Sequence, residues 1–182
     1  GRLILQGFKS QKGRLDLDGF LSQMSSSQSQ VSVNDNPVFE VNDLPVDIPG
    51  KLFNSFLMHC WEKISDKGET VPYRQLSITF LSEPQMMELN QKYRGRQGAT
   101  DILTFELEAP FDDPLGSMGD IYLCVSAMED QFELNSSLKL ILFLVVHGLL
   151  HLQGWTHEDS NDYQHMMKFQ HDILNSFLEQ ES

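Results

Sequence analysis

Residues 135–157, NSSLKLILFLVVHGLLHLQGWTH, are the stretch on which the fold turns. From Leu138 to Leu152 the sequence is apolar nearly all round, and Asn135-Ser136-Ser137 place capping side chains ahead of it. That pattern predicts a central, buried helix. His147 and His151 stand four apart on it, so both imidazoles project from one face, one turn above the other. Gly154 is placed to end the helix in a left-handed conformation and turn the chain back, which lets His157 supply a third nitrogen. Three of the chain's six histidines thus fall within 11 residues, and imidazoles on a buried face need partners. Three neutral imidazoles, at about 2.0–2.1 Å, suit one zinc ion with a fourth tetrahedral position left for water, the arrangement of a catalytic site. Nickel, cobalt and copper accept the same ligands. Because the ligands must be neutral, metal loss and inactivity are expected as pH falls below about 6. His59 reads as structural, and His165 and His171 as surface or supporting groups on the last helix.

The spacing H-x3-H-x2-G-x2-H is that of the metzincin peptidases, which carry a glutamate directly after the first histidine as general base. Here that position is Gly148, which argues against peptide hydrolysis. Glu158 and Asp159 follow the third histidine and read as a solvated cap to the next helix, or as groups that orient a histidine or take a proton.

Outward from this helix the elements alternate. Val31 to Val41 is β-prone but interrupted at Asn34–Pro37, at best a broken or edge strand. Pro49 opens a helix with apolar positions Phe53, Phe56, Leu57, Cys60, Trp61 and Ile64. Leu76, Ile78 and Phe80 alternate in a strand. Ser82-Glu83-Pro84-Gln85 reads as a capping box, opening a helix that runs to Tyr93 and stops at Gly95. Ile102 to Leu107 is a second strand, Pro110 to Gly119 a loop, and Ile121, Leu123 and Val125 a third strand. Ser126 with Glu129 predicts a further helix. A last helix, Asn161 to Leu178, sets Tyr163, Met166, Met167, Ile173, Leu174, Phe177 and Leu178 on one face. This order predicts an α+β fold, a small mixed sheet covered by helices.

The whole chain fits that picture. At 182 residues, 40% hydrophobic and 21% charged, it affords one domain with a core. Its longest apolar run, Leu140 to Val146, is far short of the roughly 20 residues of a membrane-spanning helix. Cys60 and Cys124 form no CxxC pair, which excludes a disulfide framework and a thiolate zinc ribbon. Residues 1–97 carry 11 basic and 11 acidic side chains, whereas 98–182 carry 2 basic and 15 acidic ones, the entire net charge of −13. Such a chain repels phosphate as a whole, so contact with nucleic acid needs a local basic patch. Lys92-Tyr93-Arg94-Gly95-Arg96 is one. Residues 1–30, basic at the start and Ser/Gln-rich from Ser22 to Gln30, read as a vector-derived or flexible extension, with Met24 as a native start. An organelle transit peptide is the other reading of such a composition. The domain itself is expected over 31–182.

HGLLHLQGWTH resembles the HGxLHLxGYDH signature of the YbeY family of single-strand-specific metallo-endoribonucleases, which mature ribosomal RNA. Glu88 to Leu107, ELNQKYRGRQGATDILTFEL, is similar to the family's LNxxYRGKDKPTDVLSFP block, and Gly119 to Cys124 matches its GDIxIC strand. These matches keep the family's order over roughly residues 76–160. The departures are Trp155-Thr156, where the family has an aromatic residue and Asp, and Glu106, where it has Pro.

The resemblance implies a zincin-like α+β fold: a small mixed four-stranded sheet packed with helices around one central buried metal-binding helix. It implies one zinc ion per chain held by His147, His151 and His157, and an essential Arg94. The basic patch reaches Arg94 independently, since a guanidinium forks onto phosphate and stabilises charge building on phosphorus. Lys92 and Arg96 are either further phosphate contacts or charges that favour the helix C-terminus. The expected partners are single-stranded RNA, in particular small-subunit ribosomal RNA, and the ribosome or its proteins, with no membrane. The expected place is the cytoplasm, or an organelle matrix if the N-terminal extension is native. The rival reading is a non-catalytic ribosome-assembly or RNA-binding factor with a structural zinc. A metallopeptidase comes third.

Overall fold

Alternating apolar residues sort onto the two faces of one sheet. The computed structural model describes residues 37–67, 73–107, 117–129, 134, 136–157 and 159–181. Within them lie β1 (Val38–Asn42), α1 (Gly50–Ser65), β2 (Tyr73–Phe80), α2 (Glu83–Arg94), β3 (Ile102–Leu107), β4 (Ser117–Leu123), α3 (Ser137–Leu152) and α4 (Ser160–Gln180). The strand order is β1-β2-β4-β3, with β1, β2 and β4 parallel and β3 antiparallel to β4. This is the expected α+β class with a mixed four-stranded sheet.

Leu76, Ile78 and Phe80 of β2, with Ile121 and Leu123 of β4, face one way. They form the main core with α1, α3 and α4. Leu103 of β3 and Tyr122 of β4 face the other way and pack with Met86 and Leu89 of α2 in a smaller core. The helix α3 lies close against the sheet at Gly148: a Cβ at residue 148 would stand 3.0 Å from Cδ1 of both Ile102 and Ile121, tighter than ordinary van der Waals contact.

The expected helix ends are largely realised. Gln85 Oε1 accepts hydrogen bonds from the backbone N–H of Ser82 (2.9 Å) and from its Oγ–H (2.8 Å), closing the start of α2, and Gly95 ends that helix with φ +63°. Ser136 Oγ accepts from the Lys139 N–H at the start of α3.

Four expectations are corrected. The loop before β4 is shorter than the Pro/Gly content suggested, because pairing with β2 and β3 recruits Ser117–Gly119 into the strand. Val125 is not in that strand but in a 3₁₀ turn, Val125–Ala127. Met128 is extended after it, so no helix starts at Ser126. Tyr163 does not join the apolar face of α4 but is 46% exposed. Residues 1–36, including the proposed extension and the β-prone Val31, lie outside the described residues.

Candidate metal centre

The end of α3 builds the site. Gly154 adopts φ +85°, a region that costs other residues strain. Around it the Gly154 N–H donates to the His151 carbonyl (2.9 Å) and the Trp155 N–H to the Leu150 carbonyl (3.0 Å), the paired bonds of a Schellman ending. The chain reverses, and His157 returns alongside the helix. Ring centroids then stand 4.4 Å apart for His147 and His151, 5.1 Å for His151 and His157, and 5.7 Å for His147 and His157. One nitrogen from each ring lies within 4.8 Å of the others, a group that could hold a metal ion.

Hydrogen bonds determine which nitrogens face inward. The Trp155 carbonyl lies 3.0 Å from His151 Nδ1; it can only accept, so Nδ1 carries the proton. Gln170 Oε1 lies 3.0 Å from His147 Nδ1, which is protonated for the same reason. In the neutral rings both Nε2 atoms therefore bear lone pairs, and these two atoms are 2.8 Å apart. Burial and the neighbouring His151 and His157 push the pKa of His147 down to about 3. Burial, then His157, push that of His151 down to about 4. At neutral pH neither ring has a proton to share across that gap, and two facing lone pairs repel. A cation between them turns the same geometry into an attraction, so the donor set fits a divalent metal ion. The expectation of proton competition below pH 6 is corrected for these two ligands, which burial keeps neutral to lower pH.

The other histidines stand as expected. His59 is buried, with Nε2 2.8 Å from Ser176 Oγ. His171 lies against Phe143, and His165 is exposed beside Trp155. The Asp159 carboxylate accepts the N–H groups of Asn161 and Asp162, capping α4; Glu158 lies outside the described residues.

Arg94, Lys92 and Arg96 come from the end of α2, which packs on the sheet face opposite α3. Arg94 is half-buried, and burial and Arg96 lower its pKa while Asp101 opposes them. Asp101 accepts the N–H of Ile102 at 2.9 Å. Ile102 begins β3 and packs against Gly148, next to His147. Lys92 and Arg96 are exposed, with Lys92 Nζ 5.1 Å from the centre of the Tyr93 ring.

Two groups at the site were missed by reading the sequence. Gln170 carries a visible signal, a polar residue on the buried stripe that Met166, Phe169, Ile173, Leu174 and Phe177 define. The Trp155 carbonyl carries none, because every residue has one.

The family model described as Endoribonuclease YbeY matches residues 40–178. Among curated relatives carrying that name, the chain is 39% identical over 90 residues to that of Finegoldia magna, covering 48% of this chain and 59% of the relative. It is 33% identical over 114 residues to that of Halalkalibacterium halodurans, covering 57% and 72% respectively. The Prochlorococcus marinus protein is 28% identical over 159 residues, covering 79% and 83%. The solution structure of the Thermotoga maritima protein TM1509 superposes with a TM-score of 0.51 at 25% identity, covering 79% of this chain and 91% of that one.

Proposed function

The chain belongs to the YbeY family of endoribonucleases, hydrolytic enzymes acting on RNA, and we propose that it is a zinc-dependent endoribonuclease that cleaves single-stranded RNA in ribosomal RNA processing, maturation and ribosome quality control. The observation that carries the zinc reading is the pair of unprotonated Nε2 atoms of His147 and His151 at 2.8 Å, with His157 beside them. Three imidazole nitrogens would suit zinc and leave room for a further ligand. A zinc ion held by these residues would supply Lewis acidity and a water-derived nucleophile near neutral pH.

The chain's own residues do the rest. The backs of the His147 and His151 rings are tied to Gln170 and to the Trp155 carbonyl, so the inward nitrogens hold a fixed direction. Arg94 binds the scissile phosphate through its planar fork and neutralises charge as the phosphorus–oxygen bond breaks. Lys92 and Arg96, exposed on either side of Arg94, hold flanking phosphates. The strongly acidic remainder, residues 98–182, repels the backbone elsewhere and confines RNA to this patch. Small-subunit ribosomal RNA, the ribosome or its proteins, and a cytoplasmic or organelle-matrix location complete the proposal. Among the described residues no helix is long and apolar enough to cross a membrane. The peptidase reading weakens further, because Ile102 and Ile121 fill the space into which a side chain at position 148 would point.

Cleavage of a labelled single-stranded RNA by wild type and His151→Ala, purified side by side, tests the proposal. Wild type should cut and the mutant should not. Equal cutting by both would assign the activity to a contaminant. Metal binding without cutting would favour an assembly factor with a structural ion.

A further inference from the structure

Gln170 lies at the middle of α4 with 0% exposure, on a stripe otherwise made of Met166, Phe169, Ile173, Leu174 and Phe177. Burying a primary amide among such residues is unfavourable unless its donors and acceptor are used. Both ends of this amide reach across to α3. Nε2–H donates to the Phe143 carbonyl at 3.3 Å, and Oε1 lies 3.0 Å from His147 Nδ1.

The first contact decides the second. A carbonyl oxygen can only accept, so the Phe143 carbonyl selects the amide orientation that places the NH₂ group against it. That orientation leaves Oε1, itself only an acceptor, facing the imidazole. The imidazole nitrogen that meets it must then carry the proton. Phe143 and His147 are one helical turn apart, so the amide spans a single turn of α3 and reads its backbone to set its side chain.

We infer that Gln170 is a positioning residue, which by fixing the amide orientation against the Phe143 carbonyl locks His147 as the Nδ1–H tautomer and aims its Nε2 lone pair at the metal position. The inference rests on the metal reading of the histidine cluster and adds to it the group that makes one ligand ready in advance. Without this acceptor, His147 is free to place its proton on Nε2, where it blocks the metal, or to rotate away. In known zinc sites, mutation of such supporting partners typically weakens metal binding about 10–100-fold.

The experiment has two arms. In the first, Zn²⁺ affinity is measured by competition with a chromophoric chelator for wild type, Gln170→Leu, Gln170→Met and Gln170→Glu. The two apolar variants should bind about 10–100-fold more weakly. Gln170→Glu, which keeps an acceptor toward Nδ1, should bind within about threefold of wild type or tighter by the same reasoning. Apolar variants as tight as wild type, or a Glu variant as weak as they are, would overturn the role. In the second arm, long-range ¹H–¹⁵N correlation spectra of the metal-free wild type report the protonated nitrogen of His147. A proton on Nδ1 supports the inference and a proton on Nε2 overturns it, even if the apolar variants fail to fold. A wild type that binds neither Zn²⁺ nor Co²⁺ yet shows the Nδ1–H form would remove the metal reading while leaving the tautomer lock standing.

Discussion

At the scale of single residues, the phosphate contact proposed for Arg94 can be told apart from mere positive charge. A lysine at this position keeps the charge but loses the planar pair of donors that grips two phosphate oxygens. Arg94→Lys should lower the single-turnover cleavage rate at least about tenfold and Arg94→Ala about 10²-fold or more. Metal content should stay unchanged in both, because the guanidinium lies outside the imidazole cluster. Loss of metal in either variant would reassign Arg94 to holding the fold together. The basic patch and the three imidazoles were legible because each depends on side-chain type at short spacing. Tyr163 was misjudged for the converse reason. Periodicity places a residue on a helix face but does not say how far along that face the neighbouring elements extend. Tyr163 sits in the first turn of α4, beside His157 at 6.2 Å between ring centres, and remains exposed.

At the scale of elements, the turn after α3 couples two of the candidate ligands. Gly154 lets the chain reverse, and the reversal delivers both His157 and the Trp155 carbonyl that orients His151. Nothing stands within 4 Å of a Cβ built at Gly154, so a substitution there is strained by backbone conformation alone. Gly154→Ala should cost about 1–2 kcal/mol, read as a lower melting temperature, and should weaken Zn²⁺ binding as well. Gly154→Asn, which tolerates the left-handed region better, should recover part of both losses. A variant that melts lower yet binds zinc normally would show that the turn supports the fold without setting the ligands. Elements whose ends carry local chemistry, such as α2 with its capping box or β3 with its alternation, were readable in the sequence. The supposed helix after Ser126 was not, because a capping pattern offers hydrogen bonds to a helix without supplying the apolar face that stabilises one.

At the scale of the whole molecule, burying titratable groups on both sides of the sheet makes stability depend on pH in two opposing ways. His147 and His151 have folded pKa values of about 3 and about 4, below the ordinary 6.5. Between those limits the unfolded chain takes up protons that the folded chain refuses. Their contribution is therefore complete above pH 6.5 and declines as pH falls toward 4. At pH 5 the loss is about 2 kcal/mol for each ring. Asp120, buried on the opposite face with Oδ2 lacking a hydrogen-bond partner, has the reverse sign. Burial and Glu40 raise its carboxyl from 3.8 to about 6. Its contribution is complete below pH 3.8 and is lost as pH rises through 6, amounting to about 3 kcal/mol of destabilisation at pH 7.5. On going from pH 7.5 to 5, relief at Asp120 returns only about half of that penalty, less than the combined loss of about 4 kcal/mol at the two histidines. The metal-free protein should therefore melt at lower temperature at pH 5 than at pH 7.5. Saturating Zn²⁺ should raise the melting temperature at pH 5 about as much as at pH 7.5, because His147 and His151 stay unprotonated in the folded site at both values and the ion binds only that site. Asp120→Asn isolates the opposing component: it should raise the melting temperature at pH 7.5 and do so less at pH 5. A stabilisation equal at both pH values would mean that the carboxyl is not the group that titrates.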